Sequence, residues 1–588
     1  MDKARRKFLD LSSAMLVSAT LLKPCAAAQP DSESGEFLHG VASGDPLADQ
    51  VIIWTRITPA AQPSFIQVRF EVARDIDFLV PLQSGLVRAY PERDYTIKID
   101  LLGLQQNTIY YYRFSTPSAV SPVGRTRTLP TQSDAFTLAV FSCANYTGGY
   151  FNVYHDACRH QQKIDAVIHL GDYLYEYGMR DSHEQPAYAT EHAKAAGREL
   201  PAGNDTELFS LSDYRKRYAL YRSDPDLQRI HSLYPFICIW DDHEIADNTY
   251  QTDTTLSSSQ QEADRFIRKK AALQAYYEWL PIRMPVDRSS DKIYRSFHFG
   301  TLFSLYMLDS RLGGRTRALD YHDYILADGS IQLDKFVADV ENHSRQLLGS
   351  EQFNWLQAEL KNSSAQWQVI AQQVRVSQNL IPAEIIQLAL RYRTQNRAQK
   401  THSRAQILQA FEKASQIKAR MELNDSSLRA EEIQRLEPML PYNLDAWDGY
   451  SKARRQLYQL LKTVDRGVLL LSGDAHYAWS NRLVDDTETT VGIELGVTSV
   501  SAPGIEEDYD IDDPAQLLQM EQASPLFNKH SIYTNLRDRG YLILQLGRAE
   551  VRAHWRYVNN ISSRHYQTIP QRNHLLRIAY HNGRYYYR

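Results

Sequence analysis

The sequence predicts an α/β protein in which a layered domain follows a small N-terminal β-sandwich. Two observations predict this fold class. Short β-rich segments separated by Gly, Pro and Asn fill the region before residue 130, as is typical of a small sandwich. From residue 135 onward, buried apolar runs alternate with helical patterns, which is typical of a layered α/β domain. The chain has 588 residues, far more than the roughly 150 of one domain, so several structural units are expected.

The composition is that of a folded globular protein and argues against several other classes. Hydrophobic residues make up 43% of the chain and charged residues 23%, which argues against a disordered chain. The formal charge of −4 argues against bulk electrostatic binding of nucleic acid, so no nucleic acid is expected as a dedicated partner. Four cysteines are too few for a disulfide scaffold in a chain of this length. These features favour a large enzyme, and a monomer is expected.

The first 28 residues have the pattern of an export signal. A charged stretch that contains the pair Arg5 and Arg6 precedes an apolar run at 11–22, and small residues follow at 26–28. This run is shorter than the roughly 20 residues that span a bilayer, so we expect a cleaved signal peptide and no integral membrane segment. The arginine pair resembles a twin-arginine signal, which implies the twin-arginine export machinery as a partner and a periplasmic or secreted location. The alternative is the amphipathic start of a cytosolic protein.

Residues 36–130 are predicted to form the N-terminal β-sandwich, and residues 135–588 the layered domain. The β-rich segments of the first region are 51–54, 68–72, 95–99 and 108–114. The apolar runs of the second region are 136–141, 166–170, 236–240, 302–308 and 468–471. Residues 266–280 have a helical pattern between two of these runs.

Two segments of the layered domain look inserted. Residues 182–204 are polar and predict a surface loop, and residues 383–436 predict a helical, highly charged insert. Basic residues that include Arg391, Arg393 and Arg404 lie close together in this insert. The basic cluster is either a solvated helix face or a lid that gathers anions.

Reactive side chains follow all five apolar runs of the layered domain. They are Cys143 after the first run, Asp172 and Tyr175 after the second, Asp242 and His243 after the third, Arg311 after the fourth, and Asp474 and His476 after the fifth. In open α/β sheets, ligands bind beyond the carboxyl ends of the strands. One such residue is often only a helix cap, but five strand ends together predict a shared site.

The residue types at these strand ends predict a centre with two metal ions. Asp172 is able to bridge two cations through its two oxygens, while Asp242, Asp474 and His476 supply further donors. A Cys143 thiolate and a Tyr175 phenolate favour a trivalent ion such as Fe³⁺, and the aspartates favour a divalent ion such as Ca²⁺ or Mn²⁺. Two other interpretations stay open: Cys143 as a small buried apolar residue, and Tyr175 as a core aromatic.

The remaining cysteines are assigned differently. Cys158 and Cys238 do not stand at strand ends, and they belong to the core or form a disulfide. After signal cleavage these two and Cys143 remain, so at least one thiol is unpaired.

Taken together, the motifs resemble the PhoD-type alkaline phosphatase/phosphodiesterase family of the metallophosphoesterase superfamily. The matching segments are 37–46, 53–56, 142–143, 169–177, 240–244, 445–450 and 472–476, and the resemblance covers nearly the whole mature chain. The spacing from Gly171 to Tyr175 also resembles the purple acid phosphatases, in which that tyrosine binds ferric iron.

The resemblance implies a role for each candidate residue. It implies Cys143, Asp172, Tyr175 and His476 around iron, and Asp172, Asp242 and Asp474 around divalent ions, with Ca²⁺ expected and Mn²⁺ or Zn²⁺ as alternatives. It also implies His243 near the leaving group or phosphate. Arg311 and Arg315 are candidates for holding phosphate oxygens, and a structural salt bridge to Asp309 is the alternative.

We therefore expect an exported, metal-dependent hydrolase of phosphate esters. A metal-activated hydroxide attacks phosphorus in line, and His243 assists the departing alkoxide. The substrates are phosphomonoesters, phosphodiesters or both. The alternatives are a phospholipase D-like lipid phosphodiesterase on the same site, a purple acid phosphatase-like monoesterase, and an exported binding module with a degenerate fold.

Overall fold

The structure is a computed structural model that describes residues 34–159, 163–181, 183–251, 262–285, 291–326, 330–395, 397–511 and 513–588. The predicted signal peptide at 1–28, with Arg5 and Arg6, lies outside the described residues. Within these ranges the strands form a ten-stranded, a seven-stranded and a four-stranded sheet, with two further two-stranded pairs.

The N-terminal region is β-rich, as predicted. Its strands are β1 (Gly35–Glu36), β2 (Val41–Gly44), β3 (Val51–Arg56), β4 (Thr58–Pro59), β5 (Ile66–Ala73), β6 (Gln83–Ala89), β7 (Thr96–Leu101), β8 (Ile109–Ser115) and β9 (Gly124–Arg127). Strand β8 shows the expected alternation, because Tyr110, Tyr112 and Phe114 point inward and their neighbours do not.

The N-terminal region shares a sheet with the rest of the molecule. The four-stranded sheet has the order β6-β5-β8-β9, and it packs against β2, β3 and β7 through an apolar core that includes Val41, Ile53 and Val68. Strand β2 pairs in parallel with a later strand, Pro235–Cys238, so this half of the sandwich is also the edge of the ten-stranded sheet.

The remaining strands build two sheets that face each other across a common core. They are β10 (Ala135–Phe141), β11 (Ala166–His169), β12 (Pro235–Cys238), β13 (Arg295–Phe299), β14 (Phe303–Met307), β15 (Trp367–Ala371), β16 (Leu380–Pro382), β17 (Met439–Pro441), β18 (Gly467–Ser472), β19 (Ala478–Val484), β20 (Thr490–Gly496), β21 (Ser531–Asn535), β22 (Arg539–Gly547), β23 (Val551–Val558), β24 (His574–His581) and β25 (Arg584–Tyr587). The sheet orders are β25-β24-β23-β22-β10-β11-β12-β2-β3-β7 and β13-β14-β15-β18-β20-β19-β21. Buried residues from both, such as Leu138, Leu305 and Leu469, form one cluster.

Helices cover the sheets and form the insert. They are α1 (Asn152–Arg159), α2 (Ala193–Ala196), α3 (Leu211–Arg222), α4 (Pro225–Leu233), α5 (Glu262–Trp279), α6 (Leu333–Val340), α7 (Gly349–Asn362), α8 (Ala383–Arg393), α9 (Arg397–Glu422), α10 (Ala430–Gln434), α11 (Ser451–Lys462), α12 (Ile505–Asp508) and α13 (Pro514–Phe527). Leu356 on α7 and Leu457 on α11 pack on Ile370 and Leu470 of the seven-stranded sheet. None of the described helices has the length and apolar character that a membrane span requires.

All five predicted apolar runs are strands, but they belong to two sheets. Strands β10, β11 and β12 lie in the ten-stranded sheet, whereas β14 and β18 lie in the seven-stranded sheet. Within each sheet these strands are parallel, with β15 between β14 and β18. The ends of β10 and β18, which belong to different sheets, lie against each other, because a Cβ at Gly473 would be 2.3 Å from Oγ of Ser142. The segment 383–436 is helical, as expected, through α8, α9 and α10.

Candidate active site

Buried polar groups join the ends of strands from the two sheets. The side chain of Gln373, just after β15, donates to the backbone oxygens of Trp240 at 2.8 Å and Leu308 at 2.9 Å. Its amide oxygen accepts from the backbone nitrogen of Ser310 at 3.0 Å. The backbone nitrogen of Gly473 donates to the backbone oxygen of Gln373 at 2.6 Å. One glutamine thus connects the ends of three strands around the site.

Two glycines allow these strand ends to approach closely. A Cβ at Gly473 would lie 2.3 Å from Oγ of Ser142, so the end of β18 packs directly on the end of β10. Gly171 has a φ of 111°, and a Cβ there would lie 2.4 Å from Cβ of Asp241. Only glycine fits both positions without displacing a neighbouring strand end.

Four candidate metal ligands have left-handed backbone conformations. Their φ angles are 59° at Cys143, 52° at Asp172, 64° at Asp474 and 59° at His476. Such angles are uncommon outside glycine and cost conformational energy. The surrounding packing must therefore hold these residues in this conformation. At the ends of β10, β11 and β18, these turns direct the side chains toward one shared site.

The first cluster contains the residues expected around iron. A thiol, carboxylate or imidazole atom from each of Cys143, Asp172 and His476 lies within 4.8 Å of the others. The Tyr175 hydroxyl lies 3.1 Å from Oδ2 of Asp172 and 3.0 Å from Nε2 of His476. All four side chains that the resemblance placed around iron are therefore together.

The His476 ring is held so that Nε2 faces this cluster. Its Nδ1 lies 2.6 Å from the backbone oxygen of Pro503, and the Tyr188 hydroxyl lies 3.0 Å from the same nitrogen. Burial, with a contribution from Arg539, lowers the pKa of His476 to about 3. A neutral imidazole with its outer nitrogen bound to a carbonyl is the form that ligates metals.

The second cluster contains the aspartates expected around divalent ions. Carboxylate oxygens of Asp241, Asp242 and Asp474 lie within 4.8 Å of one another, and Asp172 groups in the same way with Asp242 and His243. Burial opposes ionisation of Asp242, but Arg311 and His243 lower its pKa to about 2. Asp172 belongs to both clusters, which is the arrangement a bridging ligand requires.

Arg311 lies among these aspartates and not at the open face of the site. It is fully buried, and its guanidinium pairs with Asp241, with Asp445 at 2.6 Å and with Asp474 at 3.1 Å. Asp309, the alternative salt-bridge partner, instead accepts from the backbone nitrogen of Arg311 at 2.8 Å. Arg311 therefore offsets the charge of the aspartate cluster.

Arg315 is also buried, and it pairs with Asp445. Asp445 thus connects the two arginines that the sequence offered as phosphate ligands. Its carboxylate belongs to the motif at 445–450, for which the sequence gave no chemical role.

His243 is paired with a buried glutamate. Its Nδ1 lies 2.8 Å from Oε2 of Glu176, whose side chain is fully buried. Burial disfavours the charged imidazole, but Glu176, Asp242 and Asp172 raise the pKa of His243 well above its usual range. Nδ1 is thus engaged by Glu176, and Nε2 is the other ring nitrogen.

Glu244 fixes the turns that carry two of the candidate ligands. Its carboxylate accepts from the backbone nitrogens of Asp172 at 3.0 Å, Tyr173 at 2.5 Å and Asp241 at 2.7 Å. Burial raises the pKa of Glu244 to about 8, although the backbone donors oppose the shift. Glu244 belongs to the motif at 240–244, but the sequence gave it no role. A side chain that binds only backbone groups has no recognisable sequence pattern.

The charge balance of the first cluster fits a bound cation. Burial raises the pKa of Asp172, and burial together with Asp172 raises the pKa values of Cys143 and Tyr175 well above their usual ranges. Among the described residues, buried Oδ1 of Asp172 has no hydrogen-bond donor, whereas Oδ1 of Asp242 has the Arg311 guanidinium at 3.3 Å. Buried anionic groups are stable when paired or bound to metal, so the unpaired Asp172 oxygen is suited to a cation.

The cysteines outside the site are free. Cys158 and Cys238 are not joined to each other, and Cys143 is also unpaired. Cys238 lies in the core cluster, as predicted, but it is the last residue of β12, so the expectation that it does not stand at a strand end is wrong.

Comparisons with known proteins identify the class of this protein. The model of the PhoD-like phosphatase family matches residues 138–555, and the model of the PhoD-like phosphatase N-terminal domain matches residues 24–130. Alkaline phosphatase D from Bacillus subtilis (strain 168) is 30% identical over 553 residues, which cover 90% of this chain and 81% of that protein. A solved structure of PhoD is 27% identical to this chain and superposes on it with a TM-score of 0.68. The match covers 94% of this chain and 91% of that one.

The fold and these matches define a phosphoric ester hydrolase with layered sheets and a β-rich N-terminal region. The chain belongs to the PhoD-like phosphatase family. The predicted resemblance is thereby confirmed, and so is the predicted fold class.

Proposed function

We propose that this protein is an exported phosphoesterase that works with two bound cations, of which one is Fe³⁺ and the other is a divalent ion such as Ca²⁺. The observation that carries the proposal is the position of Asp172, whose carboxylate belongs to two adjacent groups of candidate ligands. Cys143, Tyr175 and His476 would hold the iron, because thiolate and phenolate donors favour a trivalent ion. Asp242 and Asp474 would hold the divalent ion.

When bound, such cations lower the pKa of water and offset the charge that develops on the phosphoryl oxygens during displacement. The chain supplies the rest of the chemistry. Asp172 would contribute a ligand to both cation positions, and Glu244 holds the turn that carries Asp172. His243 keeps a proton on Nε2 because Glu176 stabilises the charged ring. That proton is available to the departing alkoxide.

The cleft in front of the clusters has room for an ester with a substituent. It has a volume of about 510 Å³, and its lining includes His243, Asp474 and His476. Arg317, Arg375 and Arg393 also line it and supply positive charge for a phosphate ester. Cleavage of phosphodiesters as well as monoesters fits this open volume.

The test is to assay a phosphomonoester and a phosphodiester side by side, with and without a chelator. We expect hydrolysis that the chelator removes and that iron together with calcium restores. The ratio of the two rates separates a diesterase from a purple acid phosphatase-like monoesterase. Hydrolysis at an unchanged rate after complete removal of metal would contradict the proposal.

A further inference from the structure

Tyr188 lies in the segment 182–204, which the sequence predicts as a surface loop, but its side chain reaches the first cluster. Its hydroxyl donates to the backbone oxygen of Pro503 at 2.9 Å and lies 3.0 Å from Nδ1 of His476. That Nδ1 is itself 2.6 Å from the same Pro503 oxygen. The three groups therefore form a closed triangle around the His476 nitrogen that does not face the cluster.

The Tyr188 ring also packs beside the candidate iron ligands. Its centroid lies 6.2 Å from that of His476, with 27° between the ring planes, and 6.0 Å from that of Tyr175, with 32° between them. The same ring packs against the small buried cluster of Cys143, Tyr175 and Ala502. Tyr188 thus lies beside three of the four side chains that are expected around iron.

Hydrogen bonds on both sides of Tyr188 fix the loop that carries it. The backbone nitrogen of Ala187 donates to the backbone oxygen of Met179 at 3.2 Å. The Thr190 hydroxyl donates to the backbone oxygen of Ala187 at 2.7 Å and lies 3.2 Å from that of Met179. Met179 follows the motif at 169–177 by two residues, so the loop is tied to the segment that carries two of the candidate ligands.

We propose that Tyr188 is a positioning residue for the iron, because its hydroxyl and ring hold the His476 imidazole with Nε2 directed at the cation. The inference rests on the proposed iron position and adds a residue that no strand end supplies. Groups that bind the outer nitrogen of a metal-bound histidine fix the orientation of its ring and contribute to metal affinity. The Tyr188 hydroxyl donates to Pro503, so Tyr188 acts through His476 and not as a ligand.

The test compares the iron-loaded full chain with its Tyr188→Phe variant, which keeps the ring and loses the hydroxyl. Both proteins are titrated with a hydroxamate chelator of Fe³⁺, and the iron that remains bound is followed by elemental analysis and by the visible spectrum. Loss of such an outer partner lowers metal affinity roughly 10- to 100-fold. We therefore expect iron retention to fall at least about tenfold and the visible band to shift.

The visible band separates a positioning role from a merely structural one. If Tyr188 holds the His476 ring, the iron that stays bound in Tyr188→Phe has a changed ligand geometry and a changed band. Equal iron retention in the two proteins would overturn the inference. Weaker retention with an unchanged band would make Tyr188 a structural residue and would also overturn it.

Tyr177→Phe is the matched control. The Tyr177 ring packs on the same small cluster and lies 5.7 Å from the ring of Tyr188, whereas the triangle at Nδ1 of His476 is formed by Tyr188 and Pro503. This control variant should retain iron and show the visible band as the wild type does. A loss equal to that of Tyr188→Phe would mean that any change in this aromatic layer disturbs the iron, and the inference would fall.

A second variant keeps the test decisive if Tyr188→Phe does not fold. Thr190→Val keeps the side-chain shape but removes the hydroxyl that fixes the turn after Tyr188. It should weaken iron retention in the same direction, and it should add little to Tyr188→Phe, because residues that act through one contact are not additive. Unchanged retention in Thr190→Val, or fully additive losses, would overturn the inference.

The outcomes also separate this inference from the function on which it rests. A wild-type protein that binds no iron would overturn both the iron position and the role of Tyr188. A wild type that holds iron, together with a Tyr188→Phe variant of equal retention, would overturn the role of Tyr188 alone.

Discussion

Asp172 shows how a single side chain depends on its surroundings in this site. Its backbone is left-handed, its turn is fixed by Glu244, and one of its oxygens has no donor. Burial raises the pKa of its carboxyl, so an ionised Asp172 is costly until a cation lies beside it. The same features that make an ionised Asp172 unfavourable on its own suit it to hold a cation.

We expect Asp172→Asn to abolish activity and leave the protein folded. The amide keeps the volume of the side chain but loses the charge that would bridge the two positions. Losing several kcal/mol of transition-state stabilisation lowers the rate about 10³-fold. The metal-free variant should be at least as stable as the metal-free wild type, because the buried charge is gone. Steady-state kinetics and thermal unfolding check this, and near-normal turnover at saturating metal would contradict it.

The Glu176–His243 pair predicts a pH effect. Glu176 raises the pKa of His243, so the protonated ring persists to higher pH and is lost as the pH rises through that pKa. In Glu176→Gln the alkaline limb of the pH–rate profile should move to lower pH by about 1 to 2 units, since a hydrogen bond to a charged group contributes about 1.5–3 kcal/mol.

The control for this experiment is Glu431→Gln, a change at an exposed residue of the insert. Its profile should match that of the wild type. An alkaline limb that stays in place in Glu176→Gln would show that His243 is not the acid.

At the scale of elements, the strand ends that carry the candidate ligands were predictable from the sequence. The residues that hold those strand ends in place were not. Short apolar runs marked β10, β11, β12, β14 and β18, and a reactive residue followed each of them. Strand β15 was not predicted, because Gln368 interrupts its apolar run. Its neighbour Gln373 is neutral and acts through backbone groups, so nothing in the sequence distinguishes it from a surface glutamine.

Gly473→Ala tests the close approach of two strand ends. The added Cβ would meet Oγ of Ser142, so the end of β18 must shift and carry Asp474 and His476 with it. Overpacking of this kind costs about 1–3 kcal/mol, and we expect lower metal affinity as well as a lower melting temperature. Gly492→Ala in β20 is the control, since its nearest neighbours would lie at ordinary contact distance.

The Gly473→Ala experiment compares metal titration and thermal unfolding for the two variants. Gly492→Ala should bind metal as the wild type does. Equal metal affinity in all three proteins would mean that the position of the β18 end does not control the site.

At the scale of the whole molecule, the two ends of the described chain meet in one sheet. Strands β2, β3 and β7 form one edge of the ten-stranded sheet, and β22 to β25 form the other side. The sequence predicted a sandwich at 36–130, but its sharing of strands with the later sheet depends on pairing between β2 and β12, which are far apart in sequence. Such pairing leaves no local pattern.

Export of the whole protein is predicted to depend on Arg5 and Arg6. The double substitution Arg5→Lys and Arg6→Lys keeps the charge but removes the pair that the twin-arginine receptor reads. We expect precursor to accumulate in the cytoplasm, as measured by cell fractionation. Unchanged export of the double variant would show that the protein uses another route.

The central claim is that the cluster around Asp172 binds metal, with iron beside Cys143 and Tyr175. The most direct test is elemental analysis of protein purified without added metal, together with its visible spectrum. We predict bound iron and a colour from thiolate and phenolate donation to Fe³⁺, and both should weaken in Tyr175→Phe and Cys143→Ser. A colourless, active enzyme filled with zinc alone, whose closed d shell gives no such band, would contradict the assignment.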